Sequence, residues 1–248
     1  IEPHKDNIGY INITDFSGHT MSELKKAMKE LEDKKMEALI LDLRFNPGGT
    51  LNSAVDLAGA FLGDKKLVVY TKGRKDEFFK EYFAPVEGAY TKIPLILLVN
   101  EASASASEIV SGALQDHGRA LLIGARTFGK GSVQQVMTLQ GGNAMKITVA
   151  KYYTPKGRMI HRNFKDKSAD AVWGIEPDIK VDFDLPTSKK ALNYRTMLIY
   201  SPSKKTAVKD GNEVKDIVLE RAQELLKARK VLGTLDVEKQ ESIAKETK

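Results

Sequence analysis

Two short apolar runs constrain the fold of this chain more than any other feature. Ala38-Leu39-Ile40-Leu41-Asp42-Leu43 ends in Arg44-Phe45-Asn46-Pro47-Gly48-Gly49, and a helical pattern then runs from Leu51 to Phe61. Leu95-Ile96-Leu97-Leu98-Val99 likewise passes through Asn100-Glu101-Ala102 and Ser103-Ala104-Ser105-Ala106-Ser107-Glu108 into a second helical pattern. That helix carries Ile109, Val110, Ala113 and Leu114 on one face, with Gly118 as its stop. Runs this short read as buried strands, and strand, turn and helix in that order build a parallel α/β layer.

The remaining pattern is consistent with that layer. Ile8 to Ile13 alternates like a strand, Ser22 is placed to cap a helix to about Lys34, and Leu67–Thr71 and Ala120–Ile123 read as strands. Residues 72–92 show no period. Val133–Leu139, a Gly141-Gly142-Asn143 turn and Met145–Tyr153 predict a hairpin. Met159-Ile160 reads as a short strand and Ile179–Phe183 as an edge strand. Past Pro186 the chain turns polar until Val214–Leu232, an amphipathic helix expected to close at Gly233 before a frayed end. The expected division is a core over 1–185 and a basic helical segment over 186–248, acting as a cap or a dimer interface.

Composition excludes several chemistries. The 248 residues include no cysteine, which removes thiol catalysis, thiolate metal sites and disulfides. Residues 186–248 hold 14 Lys and Arg against 9 Asp and Glu, but the signs interleave, so nucleic acid is not an expected partner. The acidic residues and four histidines show no metal-site spacing. No cofactor is expected.

The chemistry concentrates between Pro94 and Val136. One strand delivers three alternating serines to a helix N-terminus; a second delivers Lys130 inside Gly124-Ala125-Arg126-Thr127-Phe128-Gly129-Lys130-Gly131. The bland reading of Ser105-Ala106-Ser107-Glu108 is a capping box. One cap needs one serine, however, and a nucleophilic Ser105 would have the following amide of Ala106 aimed at the carbonyl it attacks. No histidine sits in a triad motif. A glycine-framed lysine can lose its hydration, which favours the neutral amine a base requires, and Ser–Lys pairs are a variant of nucleophile and base. Alone, Lys130 reads as a surface lysine. Gly124-x4-Gly129-Lys130 also matches a phosphate loop through its lysine, but glycine stands at 131 where Ser or Thr must meet magnesium, and a strand pattern follows where a helix should start. The Gly48-Gly49 turn is either only tight or one whose amides approach a ligand. Asp42 and Arg44 read as a local ion pair shaping that turn.

Five stretches occur in a familiar order: Asp42–Gly49, Ser103–Ile109, Thr127–Gln134, Tyr153–Arg158 and Gly174–Asp178. Together they resemble the carboxyl-terminal processing peptidases, or tail-specific proteases, over roughly residues 8–183. The resemblance implies an α/β fold with a ClpP/crotonase-like core, a mostly parallel sheet flanked by helices, and a C-terminal helical segment. It implies a serine endopeptidase that cuts proteins near their C-terminus, with Ser105 as nucleophile, Lys130 as base and Gln134 orienting the lysine. The Ala106 amide and a glycine of the turn, Gly48 or Gly49, would form the oxyanion hole; Glu108 and Arg44 are auxiliary candidates. Strand alternation would put 130 and 134 on one side. The family usually carries a PDZ domain ahead of this core, and none is legible here. The resemblance further implies substrates with apolar C-termini and an extracytoplasmic, periplasmic or membrane-peripheral, location. Dimerisation through the C-terminal helix is expected. A catalytically silent scaffold on the same fold is the alternative.

Overall fold

The computed structural model describes residues 2–4, 7–85, 88–139, 142–166, 168, 171–200 and 215–246. Among the described residues the chain forms ten strands and five α-helices. They are β1 (Glu2–His4), β2 (Ile8–Asn12), α1 (Thr20–Asp33), β3 (Ala38–Asp42), α2 (Leu51–Leu62), β4 (Leu67–Gly73), β5 (Lys80–Phe83), β6 (Leu95–Val99), α3 (Ala106–Asp116), β7 (Leu121–Gly124), β8 (Ser132–Thr138), β9 (Ala144–Tyr153), β10 (Ile179–Lys180), α4 (Leu185–Tyr200) and α5 (Ile217–Glu246). A six-stranded sheet in the order β1-β2-β3-β6-β7-β10 is parallel except for the β1–β2 pair. A second, antiparallel sheet runs β5-β4-β9-β8.

The parallel sheet is covered on both faces, which is why its strands are continuously apolar. Leu39, Leu41, Leu95 and Leu97 point into one core with Leu24, Leu57, Phe61, Val110 and Leu114 from α1, α2 and α3. Ile40, Ile96, Leu98 and Ile123 point the other way and meet Val218, Leu219, Ala222 and Leu226 of α5. Burying Val218, Leu219 and Leu226 contributes about 1.5–3 kcal/mol each. The apolar stripe of the C-terminal helix is thus covered by its own chain.

Several boundaries differ from the sequence reading. α1 starts at Thr20 with His19 as its cap, and the Ser22 hydroxyl donates back to His19 O at 2.7 Å instead of capping. α5 runs through Gly233 to Glu246, because one interior glycine costs only about 1 kcal/mol of helix propensity. α4 occupies part of the stretch read as merely polar, and β5 part of the stretch without a period. Met159 makes an isolated bridge to Tyr153 rather than a strand. Gly141 of the hairpin turn and residues 201–214 of the C-terminal segment lie outside the described residues. The parallel layer leaves the turns after β3, β6 and β7 converging, and these three turns carry the candidate chemistry.

Candidate active site

The turn from β6 into α3 holds three serines that the structure distinguishes by what their protons do. Ser103 is buried, donates its hydroxyl to Leu43 O at 2.8 Å and accepts the Asn100 amide at 3.0 Å. Ser107 is buried and donates to Asn46 O at 3.0 Å. Both hydroxyls tie this turn to the one after β3. Ser105 is half-buried, and among the described residues its hydroxyl proton has no acceptor. Its backbone is strained at φ 57° and ψ −111°, a conformation that costs a non-glycine residue about 1–3 kcal/mol. Strain of this kind presents a side chain at the tip of a strand-to-helix turn. The Ala106 N–H, first in α3, points out of the helix end with no acceptor among the described residues.

Glu108 organises the turn. The capping box expected from the Ser-x-x-Glu spacing is present, with the Ser105 amide donating to Glu108 Oε2 at 2.8 Å. The same oxygen accepts the Lys130 amide at 2.8 Å; Oε1 accepts the Gly129 amide and the Thr127 hydroxyl, both at 2.6 Å. Glu108 is fully buried. Burial pushes its carboxyl up from the ordinary carboxylate range, although the Thr127, Gly129, Ser105 and Lys130 donors all pull the other way. One carboxylate therefore staples the serine turn to the lysine turn.

Lys130 stands in that second turn with its amide held and its side chain exposed, without an ion pair or a hydrogen bond to Ser105 among the described residues. The glycine frame does not desolvate it. Gly129 has φ +90°, and a Cβ there would stand 2.7 Å from both Arg162 Cβ and Trp173 Cδ1. β8, not a helix, follows the lysine, so the near match to a phosphate loop has no helix N-terminus to offer a phosphate. Gln134 lies exposed on β8 opposite Thr148. Lys130 precedes that strand, and the register shifts between Val133 and Gln134, so the simple alternation linking 130 to 134 is interrupted.

The Asn46-Pro47-Gly48-Gly49 turn presses directly on the serine. A Cβ on Gly48, at φ +100°, would stand 2.7 Å from Ser105 Cβ and 2.9 Å from Ala106 N, so only glycine fits. The Gly48 amide is engaged, donating to Asn46 Oδ1 at 2.8 Å, while the Asn46 amide group donates to Ile13 O at 2.8 Å. The Gly49 N–H has no acceptor among the described residues. Below the turn, Arg44 is buried. It pairs with Asp42 at 2.6 Å and, through two 2.7 Å bonds, with Asp216 just ahead of α5. Burial alone would push the Arg44 guanidinium down; Asp42 and Asp216 more than reverse it and hold it charged. The Tyr10 hydroxyl donates to Asp42 at 2.7 Å. His117 bonds Leu67 O at 2.7 Å as a strut at the end of α3.

A helix-end serine, its free amide, a lysine turn and a glycine turn in contact with the serine invite comparison with known proteins. Residues 7–181 match the model of peptidase family S41. The chain belongs to that family. Among curated relatives, a carboxy-terminal-processing protease of Bartonella bacilliformis is 42% identical over 188 residues, 74% of this chain and 41% of its own length. A carboxyl-terminal-processing protease of Picosynechococcus is 44% identical over 161 residues, 65% of this chain and 38% of its own. The solved photosystem II D1 C-terminal processing protease superposes with a TM-score of 0.62 at 34% identity, covering 71% of this chain and 42% of that one. The chain thus spans about two fifths of the length of these relatives. A putative S41 protease of Bacteroides fragilis, at 18% identity and a TM-score of 0.60, shares the fold. The carboxyl-terminal processing peptidase family and the α/β fold with a mostly parallel sheet, expected from the motifs, are borne out. The structure also adds members that the sequence reading passed over: Thr127 and Asn46, whose side chains hold the two turns, and Asp216, which completes the buried ion group.

Proposed function

We propose that this chain is the core of a serine endopeptidase that cuts proteins near their C-termini through Ser105 and Lys130. The observation that carries the reading is the Ser105 hydroxyl, the one of three alternating serines whose proton has no acceptor among the described residues, on a strained helix cap stapled to the lysine turn. Ser105 Oγ attacks the scissile carbonyl while Lys130 Nζ takes its proton and passes it to the leaving amine; water then resolves the acyl-enzyme. The Ala106 amide and a glycine of the 48–49 turn receive the oxyanion, and the Gly49 N–H has no acceptor among the described residues. Lys130 is open to solvent, so the substrate supplies the burial and closes the dyad, as catalytic hydrogen bonds commonly tighten only with substrate bound. Gln134 serves to orient the lysine, Glu108 joins the serine and lysine turns, and Arg44 anchors the end of β3 to Asp216.

The reading extends to a core over 1–185 with the segment 186–248 as its cap, to substrates with apolar C-termini, to a PDZ module as capture partner, and to an extracytoplasmic home. Among the described residues no helix is long and apolar enough to cross a membrane. Dimerisation would use α5 beyond its buried stripe, where Val231 and Leu232 are exposed. The test is cleavage of an unfolded protein with an apolar C-terminus by wild type, Ser105→Ala and Lys130→Ala. Loss in both variants supports the dyad; retained cleavage in Ser105→Ala overturns it. Absence of labelling by a serine-reactive probe in wild type would favour the silent scaffold.

A further inference from the structure

Beside the lysine turn lies a group of side chains that the proposed reaction does not use. Two guanidinium groups, those of Arg126 and Arg162, lie over the Trp173 ring, each 4.4 Å from its centroid. Arg162 also lies over the Phe164 ring at 5.1 Å, and Phe164 meets Phe128 at 6.2 Å. The group sits against the base: the Arg162 amide donates to Gly129 O at 2.8 Å, and the missing Gly129 Cβ is what lets Arg162 and Trp173 close on that residue.

The two arginines differ. Arg126 pairs with Glu176 and is a strap. Arg162 has no carboxylate and no side-chain hydrogen bond among the described residues; nearby Asp166 accepts the Ser168 amide instead. Lying over rings makes no conventional hydrogen bond, so the five N–H donors of the guanidinium stay available. A cation fixed in orientation with its donors open is preorganised for a planar, bidentate acceptor, which among peptide groups is a carboxylate. The surroundings are apolar and open, with Phe128 44% and Phe164 62% exposed.

We propose that Arg162, held on Trp173 and Phe164, is a subsite that receives a carboxylate of the peptide substrate, with an apolar neighbour of that carboxylate lying on Phe128 and Phe164. The carboxylate is either the chain terminus or an acidic side chain. This rests on the protease reading for its biological meaning but not for its test, because Trp173 is the only tryptophan of the chain and its emission reports occupancy directly.

The test uses the full chain carrying Ser105→Ala, titrated with peptides that end in an apolar residue as the free acid, as the amide, and as the amide with an internal Asp or Asn. Trp173 emission should change saturably with the free acid and bind the amide about tenfold more weakly, the scale of one charge-assisted bidentate contact. An Asp peptide binding better than its Asn partner assigns the side chain as the source; no difference there assigns the terminus. Arg162→Gln should bring the acid-to-amide ratio to about one, and Arg162→Lys, which keeps the charge but not the fork, should recover only part of it. Equal binding of all peptides by the parent, or a ratio preserved in a folded Arg162→Gln chain, overturns the subsite. Acid-selective binding with no cleavage by the Ser105 chain would leave the subsite standing and remove the protease reading.

Discussion

The backbone amides of Ser105 and Lys130 share a single acceptor: each donates at 2.8 Å to Glu108 Oε2. The nucleophile and base of the proposed dyad are therefore indexed to each other through a carboxylate rather than through a bond between their own side chains. Glu108→Gln replaces one acceptor oxygen with an NH2 group that faces amide donors. We expect a loss of about 2–4 kcal/mol in urea unfolding, from buried donors left without partners, and a lower rate of labelling by a serine-reactive probe.

The three serines should separate cleanly. Ser105→Ala is expected to abolish cleavage with little change in the urea midpoint. Ser103→Ala strands the Asn100 amide and leaves the Leu43 carbonyl with only the Asn46 amide as donor among the described residues, so it should cost about 1–3 kcal/mol while cleavage persists. Parallel unfolding and cleavage assays check both.

Asp216 completes a buried charge group 172 residues away from Arg44 in sequence. Asp216→Ala leaves Arg44 with Asp42 as its one carboxylate among the described residues and removes the bond to the Leu219 amide at the start of α5. The expected cost is about 3 kcal/mol, at the lower end for breaking a buried pair because Asp42 remains. Protection of β3 amides in hydrogen exchange should fall with it.

Gly48→Ala forces a methyl group to within 2.7 Å of Ser105 Cβ in a left-handed backbone conformation. We expect kcat to fall by at least 100-fold, with the fold retained by circular dichroism, because displacement of about 1 Å at a reacting centre costs that much.

His161 sets a pH dependence. Desolvation, then the Lys151 charge, lowers its basicity below the ordinary histidine value of 6.5, and its Nδ1 is buried without a partner. In the window just below 6.5 the unfolded chain binds a proton that the folded one does not, so stability is full above the window and falls as pH drops through it. Glu108, raised, acts with the opposite sign above 4.5. Melting temperature should decline from pH 7.5 to 5.5, and His161→Gln should flatten that decline.

Local pattern was enough to place the parallel layer and the helices after the glycine and serine turns, and to mark Ser105 and Lys130 as candidates, because period, glycine turns and a capping box are written within a dozen residues. The antiparallel sheet was legible only as one hairpin, since β4 pairs with β9 across some eighty residues and β5 has no period of its own. Gly233 looked like a stop and is not, because a glycine's weak local preference does not by itself end a helix. What the sequence determined by itself is the inventory of reactive groups and their order along the chain. Which serine keeps its proton, which carboxylate joins the two turns and what neutralises Arg44 were decided by tertiary structure. Each depends on hydrogen bonds and burial between segments that meet only when the sheet assembles.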